Sequence, residues 1–222
     1  MTSITTLPIN VPENKLLKEL FDNSEYKNFG VVRSYNDLKS MFGLNSVKGS
    51  TREGSSNRVE RFVSKGITIR LSKHPSIYEI SKTNMITAHA DDDDIEEDIQ
   101  TKNNWLQADK LEVCPKIYFY GYVIGDKDND VELYHVMVGA LYQSDLNEYY
   151  NEGPGRNLKH YGDDAYFDPK NTIIAKQLID KLTIMATKMQ LICFDIKPLN
   201  AVINDRGGND VDVRLIDWDG DW

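Results

Sequence analysis

The sequence predicts an α+β protein: a five-stranded antiparallel sheet with one inserted helix, followed by a mostly helical second half. Three observations carry that expectation. Strand-like runs come in pairs, 58–64 with 67–72 and 116–124 with 131–141, each closed by a polar turn. Between the pairs, the acidic segment Asp91-Asp92-Asp93-Asp94-Ile95-Glu96-Glu97-Asp98 opens into a helical pattern reaching about Lys110. After them comes a long apolar stripe at helical spacing, and then a short terminal hairpin.

The elements follow in order. Residues 1–14 hold Thr, Pro and Asn without periodicity and read as an extended arm, followed by a short helix over 15–21. Ser34-Tyr35-Asn36-Asp37 is a capping box that opens a helix to Phe42. Residues 49–57 read as a polar Gly/Ser loop, and Lys65-Gly66 as the tight turn between the first strand pair. In the acidic helix, first-turn carboxylates suit the positive end of the helix dipole. Ile95, Ile99 and Leu106 give it an apolar face. Pro115 ends that region, and the second strand pair turns over 125–130. A short helix is expected over 145–150 and a polar surface loop over 151–166. Asp168-Pro169 supplies an N-cap and a first-turn proline. The helix it starts runs to about Met189, with Ile174, Leu178, Leu182, Met185 and Met189 on one stripe. Residues 202–204 and 211–216 form the last hairpin.

Composition narrows the function classes. The 222 residues, 40% hydrophobic, suffice for one large domain or two lobes around a cleft. A net charge of −9 and an isoelectric point near 5.0 argue against a general nucleic-acid binder. No run approaches the ~18 apolar residues of a membrane span, and the first residues carry no secretory pattern, so a cytoplasmic location is expected. Cys114 and Cys193 have no paired spacing and read as reduced thiols. The histidines at 74, 89, 135 and 160 have no zinc-site spacing.

The motifs with chemistry lie near the end. Cys193-Phe194-Asp195-Ile196-Lys197-Pro198-Leu199-Asn200 reads as D-x-K-P-x-N, and Leu215-Ile216-Asp217-Trp218-Asp219 follows after a hairpin. A polar turn between helix and strand explains one Asp but not this set. The order resembles the catalytic and metal-binding loops of the protein-kinase-like superfamily, over residues ~30 to 222. The resemblance implies an α+β, protein-kinase-like fold. Its N-lobe (30–141, after an arm and short helix at 1–29) would hold a five-stranded antiparallel sheet with one inserted helix. A partial, mostly helical C-lobe would occupy 142–222.

It also implies roles for residues. Asp195 would be the catalytic base, and Lys197 would neutralise charge on the transferred phosphoryl group. Asn200 and Asp217 would hold Mg²⁺ on ATP. Gly49-Ser50-Thr51-Arg52-Glu53-Gly54 has the first and third glycines of the phosphate-covering loop, Thr51 standing for the middle one. Residues 67–73 resemble the V-A-I-K strand. Alternation puts Ile67, Ile69, Leu71 and Lys73 on one face, and Thr68 and Arg70 on the other. The nucleotide-facing small residue and cation are therefore Thr68 and Arg70, with Arg where the family has Lys. The acidic partner of that cation falls to Glu97, with Glu96 next. Gly139-Ala140-Leu141 aligns with the adenine-binding hinge.

Two departures widen the functional expectation. Asp217-Trp218-Asp219 also resembles small-molecule kinases of the aminoglycoside and choline type, whereas Lys197 matches Ser/Thr protein kinases. Arg70 and the altered loops resemble divergent kinases of large DNA viruses, for which host cytoplasm or the virion is the expected location. The leading expectation is an ATP- and Mg²⁺-binding Ser/Thr kinase-like domain acting on a protein hydroxyl. The alternatives are a pseudokinase scaffold and a small-molecule phosphotransferase. Because the family's remaining C-lobe helices have no counterpart here, the stripe at Ile174, Leu178 and Leu182 is expected to be uncovered and open to self-association or a partner.

Overall fold

The computed structural model describes residues 5–22, 26–54, 56–125, 131–155, 169–191 and 197–216. They fall into two compact units, Met1–Asn103 with Ile117–Leu141, and Asn104–Lys116 with Tyr142–Trp222.

The first unit is built on a six-stranded mixed sheet. Its strands are β1 (Phe29–Val32), β2 (Ser50–Glu53), β3 (Asn57–Phe62), β4 (Ile67–Ser72), β7 (Ile117–Ile124) and β8 (Leu133–Ala140), in the order β1-β7-β8-β4-β3-β2. A separate hairpin pairs β5 (Tyr78–Ile80) with β6 (Ile86–Ala88). The sheet differs from the five antiparallel strands expected because β1 joins its edge parallel to β7. That pairing places Gly30 opposite Gly121, and a Cβ on Gly121 would overlap the Gly30 carbonyl. A Cβ on Gly30 would in turn meet Thr6 of the arm at 2.6 Å. The arm continues the edge through Leu7 N–H to Val31 O (2.8 Å) and bridges Asn10 to Met85.

Alternation then sorts the sheet into two faces. One face carries Phe62, Ile69, Phe119, Val123, Val136, Val138 and Val32, buried together with Leu38 and Leu44. Leu38 belongs to helix α2 (Tyr35–Met41), whose N-cap Ser34 accepts from Asp37 N–H at 3.1 Å and donates to its carboxylate at 2.9 Å. The capping box thus places the helix that covers this face.

The other face is aromatic. Phe29 stacks with Tyr120 (centroids 6.2 Å), and Phe21, Tyr78 and Tyr122 meet at 5.5–5.6 Å. Phe21 ends helix α1 (Lys15–Phe21). Helix α3 (Asp92–Lys110) turns Ile95 and Ile99 into buried positions. Its Lys102, 4% exposed, donates Nζ to the carbonyls of Glu19 (2.9 Å) and Leu20 (2.8 Å) and lies 5.0 Å from the Phe29 ring centre. A buried ammonium is tolerated here because it satisfies the open C-terminal carbonyls of α1.

The second unit is organised by a three-stranded sheet in the order β11-β10-β9, formed by β9 (Ser144–Asp145), β10 (Ala201–Asp205) and β11 (Val211–Leu215). Helix α4 (Leu146–Asn151) is capped by Asp145, which accepts from Glu148 N–H at 2.7 Å. Helix α5 (Pro169–Ile184) widens into a π-turn over Met185–Met189 and lies along β11. Its stripe differs only in part from the uncovered surface expected. Ile174, Met185 and Met189 are buried and Leu178 and Leu182 half-buried, while the large apolar side chain left outside on α5 is Ile179, 62% exposed. Among the described residues, no helix is long and apolar enough to cross a membrane.

Candidate functional site

Asp195 and Asp217, with Cys193, Trp218 and Asp219, lie outside the described residues. What is described are the residues on either side of them. Pro198 opens a 3-10 turn, Pro198–Asn200, its ring fixing the first φ. Asn200 N–H closes back on Lys197 O at 2.9 Å. β10 starts at the next residue and returns as β11, with Ala201 opposite Leu215. Beyond Leu215, Ile216 N–H donates to Asn200 O at 2.9 Å. The last residue of the first motif and the residue before Asp217 are therefore joined by a backbone hydrogen bond. Lys197 is exposed and Asn200 half-buried.

The far end of this hairpin is fixed by a buried carboxylate. The Asp205 side chain, 5% exposed, accepts from Lys170 Nζ (2.9 Å), Tyr149 hydroxyl (2.7 Å) and Gly207 N–H (2.9 Å). Burial pushes its pKa up, but the hydrogen bonds from Lys170, Tyr149 and Gly207 outweigh burial and leave it below the usual carboxylate value. On β11, Asp212 takes Tyr142 hydroxyl (2.6 Å) and Arg214 Nε (2.9 Å), and Arg214 also reaches Glu112 O. Burial and then the Asp212 hydrogen bond push the Tyr142 hydroxyl pKa up.

In the first unit, the alternation expected for β4 is visible. Ile67, Ile69 and Leu71 face the α2 core. Arg70 lies between Val59 and Met137, in a cross-strand row that continues to Tyr120 and Phe29. Cross-strand partners share a face, and Lys102 of α3 contacts that row at Phe29. Thr68, paired with Gly139, is on the same face, and its hydroxyl donates to Glu60 O at 3.3 Å. The structure thus brings Thr68, Arg70 and Gly139 onto the face that carries α3. Lys73 is held elsewhere, donating to Gly54 O (2.6 Å) and pairing with Glu53 (2.8 Å).

Other candidates are placed differently. Residues 49–57 are not a loop throughout, because Ser50–Glu53 pairs with β3 as strand β2. All four of its side chains are exposed, so it shows no apolar alternation. Gly49 and Gly54 consequently sit at opposite ends of a strand. Gly49 lies against Phe62, which a Cβ would meet at 2.9 Å, and Gly54 N–H closes the turn onto Asn57 O at 2.8 Å. Gly139 lies within the sheet, between Thr68 and Ile117. Leu141 N–H is committed to Gly66 O at 2.9 Å, so it is not directed to an adenine in this arrangement. On α3, Glu96 and Glu97 are exposed. The carboxylate on the inward side is Asp98, which accepts from Tyr78 hydroxyl at 2.7 Å. Burial, followed by the charge of Asp98, raises the Tyr78 pKa well above the ordinary phenol value. The signal for Asp98 was present in the sequence: it lies three residues after Ile95 and one before Ile99, inside the apolar arc, whereas Glu97 falls outside it.

No family model and no curated protein matches the chain. Among solved structures it is similar to the one described as "PpkA-294 apo form", with a TM-score of 0.44 and 11% identity over 78% of this chain and 57% of that one. The chain spans just over half the length of that structure. No cluster of three or more metal-ligating side chains occurs among the described residues.

Proposed function

We propose that this chain is a protein-kinase-like nucleotide-binding domain that takes ATP with Mg²⁺ and serves transfer of its γ-phosphate to a protein hydroxyl. The observation that carries this reading is the hydrogen bond from Ile216 N–H to Asn200 O. It ties the end of the D-x-K-P-x-N segment to the residue before Asp217, so two motifs apart in sequence belong to one local structure. Arg70 and Thr68, sharing a sheet face with α3, supply the cation and small residue of the same reading.

The roles follow from side-chain chemistry. Asn200 and Asp217 offer the hard oxygen donors that suit Mg²⁺, and a bound Mg²⁺ would neutralise phosphate charge. Arg70 offers a planar donor fork for a phosphate, and its substitution for Lys keeps the charge but changes its reach. Asp195 would accept the hydroxyl proton, and Lys197 would offset charge developing on the phosphoryl oxygens.

A second reading, a pseudokinase scaffold, is favoured by Leu141 N–H being bonded to Gly66 O and by exposed Glu96 and Glu97 on α3. One experiment separates the two. Thermal unfolding is followed with ATP, with and without Mg²⁺, for the wild type and Asp217→Asn. Ligand that binds the native state raises stability by mass action. A Mg²⁺-dependent rise in the wild type that disappears in Asp217→Asn supports the reading. Equal ATP stabilisation in magnesium and in EDTA for both proteins sinks the metal assignment.

A further inference from the structure

Two glutamine side chains act as pieces of β-strand at the edges of the three-stranded sheet. On the outer edge of β11, Gln177 of α5 donates Nε2 to Val211 O at 2.7 Å, and its Oε1 accepts from Val213 N–H at 2.8 Å. One amide thus bridges the carbonyl of one residue and the N–H two residues on, as a residue of a neighbouring parallel strand does. Along the same strand, Leu215 N–H is taken by Val113 O at 3.0 Å. On the β10 side, Gln143 exchanges two bonds with Asp205: its Nε2 donates to Asp205 O at 3.1 Å, and its Oε1 accepts from Asp205 N–H at 2.7 Å.

The two amides differ in what they control. Gln143 lengthens the short β9 pairing at the turn end of the hairpin. Gln177 links α5 to the backbone of β11 at two successive outward-facing groups. A one-residue slip of a strand moves every backbone group by about 3.3 Å and exchanges its faces. Such a slip would separate Ile216 N–H from Asn200 O.

We propose that Gln177 is a positioning residue for Asn200. Its amide, acting as a one-residue strand, holds β11 in the register that keeps Ile216 bonded to Asn200. This inference rests on the Mg²⁺·ATP reading for its functional consequence, but its structural core can be tested without nucleotide.

The test combines amide hydrogen exchange with ATP titration in Mg²⁺ and in EDTA, on the full chain. In Gln177→Leu, exchange at Val213 and Ile216 is expected to quicken by about tenfold, the effect of losing two modest hydrogen bonds, while β7 and β8 keep wild-type rates. The Mg²⁺-dependent gain in ATP affinity falls, and affinity in EDTA stays as it was. Gln177→Glu keeps an oxygen for Val213 N–H but loses the donor to Val211 O and sets a carboxylate oxygen against that carbonyl, so it is expected to quicken exchange and lower the Mg²⁺ gain as Gln177→Leu does. Wild-type exchange at Val213 and Ile216 in Gln177→Leu overturns the inference. So does a Gln177→Leu protein with quickened exchange and an undiminished Mg²⁺ gain. Should Gln177→Leu not fold, Gln177→Asn, about 1.5 Å shorter and unable to span both groups, is read by the same two outcomes. A wild type with no Mg²⁺ gain defeats the nucleotide reading, while the exchange rates still decide whether Gln177 holds β11.

Discussion

At the scale of single residues, the sheet assigns its two neighbouring cations different tasks. Arg70 projects from the face shared with α3, whereas Lys73 closes the β2–β3 turn on Gly54 O and Glu53. Arg70→Ala is therefore expected to weaken ATP binding by about tenfold or more, the scale of a lost charge-assisted hydrogen bond. Lys73→Ala should leave ATP binding within a few-fold of wild type. Titration calorimetry on both variants checks the ranking, and the reverse order would move the nucleotide to the other face of β4. Asp205 gives a prediction in pH. Its folded pKa is depressed relative to the unfolded chain, so its bonds to Lys170, Tyr149 and Gly207 contribute stability above the unfolded value. That contribution fades as pH falls through the folded pKa. Asp205→Asn should thus be less stable than wild type near neutrality, and the gap should narrow in acid below about pH 4. Denaturant midpoints across this range test it, and a gap that widens on acidification would contradict the assignment.

At the scale of elements, legibility in the sequence followed how much of an element's reason for existing is local. Helix α2 carries its own start signal in Ser34 and Asp37, and α5 carries Pro169 and a long apolar stripe, so both could be read directly. The strands β7 and β8 announce themselves by long β-branched and aromatic runs. β2 and the β5–β6 hairpin do not, because strands of four and three residues are strands only through their partners. β1 shows the same limit from the other side. Phe29–Val32 is uniformly buried and has no alternation to detect, and its parallel pairing with β7 depends on two distant glycines meeting. At the candidate site, the D-x-K-P-x-N spacing stands out in the sequence, whereas the hydrogen bond of Leu141 N–H and the β-strand at 50–53 depend on pairing partners that no local pattern encodes. The Gly30–Gly121 contact is itself testable. Gly121→Ala would drive a methyl into the Gly30 carbonyl, where backbone must move because no flexible side chain can yield. It should cost roughly 3 kcal/mol, the upper end of ordinary overpacking. Exchange protection lost first in β1 and the arm, with β3 and β4 retained, is the expected pattern. A Gly121→Ala protein as stable as wild type would contradict the close pairing.

At the scale of the whole molecule, the two units share one helix. α3 runs Asp92–Lys110, and the division between units falls after Asn103, inside it. Its first part gives Ile95, Ile99 and Lys102 to the first unit. Its last part gives Trp105, Leu106 and Ala108, all buried, to the second. Helix propagation is cooperative once nucleated, so order in one half favours order in the other. The two halves of α3 thus carry buried side chains assigned to different units. Asn103 is an exposed helical position, so a substitution there tests continuity with little change in packing. Asn103→Pro removes a backbone donor and clashes with the preceding turn, at about 3 kcal/mol. Asn103→Ala favours the helix slightly and serves as the control. If order propagates along α3, Asn103→Pro should quicken amide exchange in both β8 and β11, and calorimetry should show the whole unfolding endotherm moving to lower temperature. The alanine protein should unfold at or slightly above the wild-type temperature. Loss of protection confined to one unit, with the other melting as in wild type, would show that the units hold their halves of α3 independently.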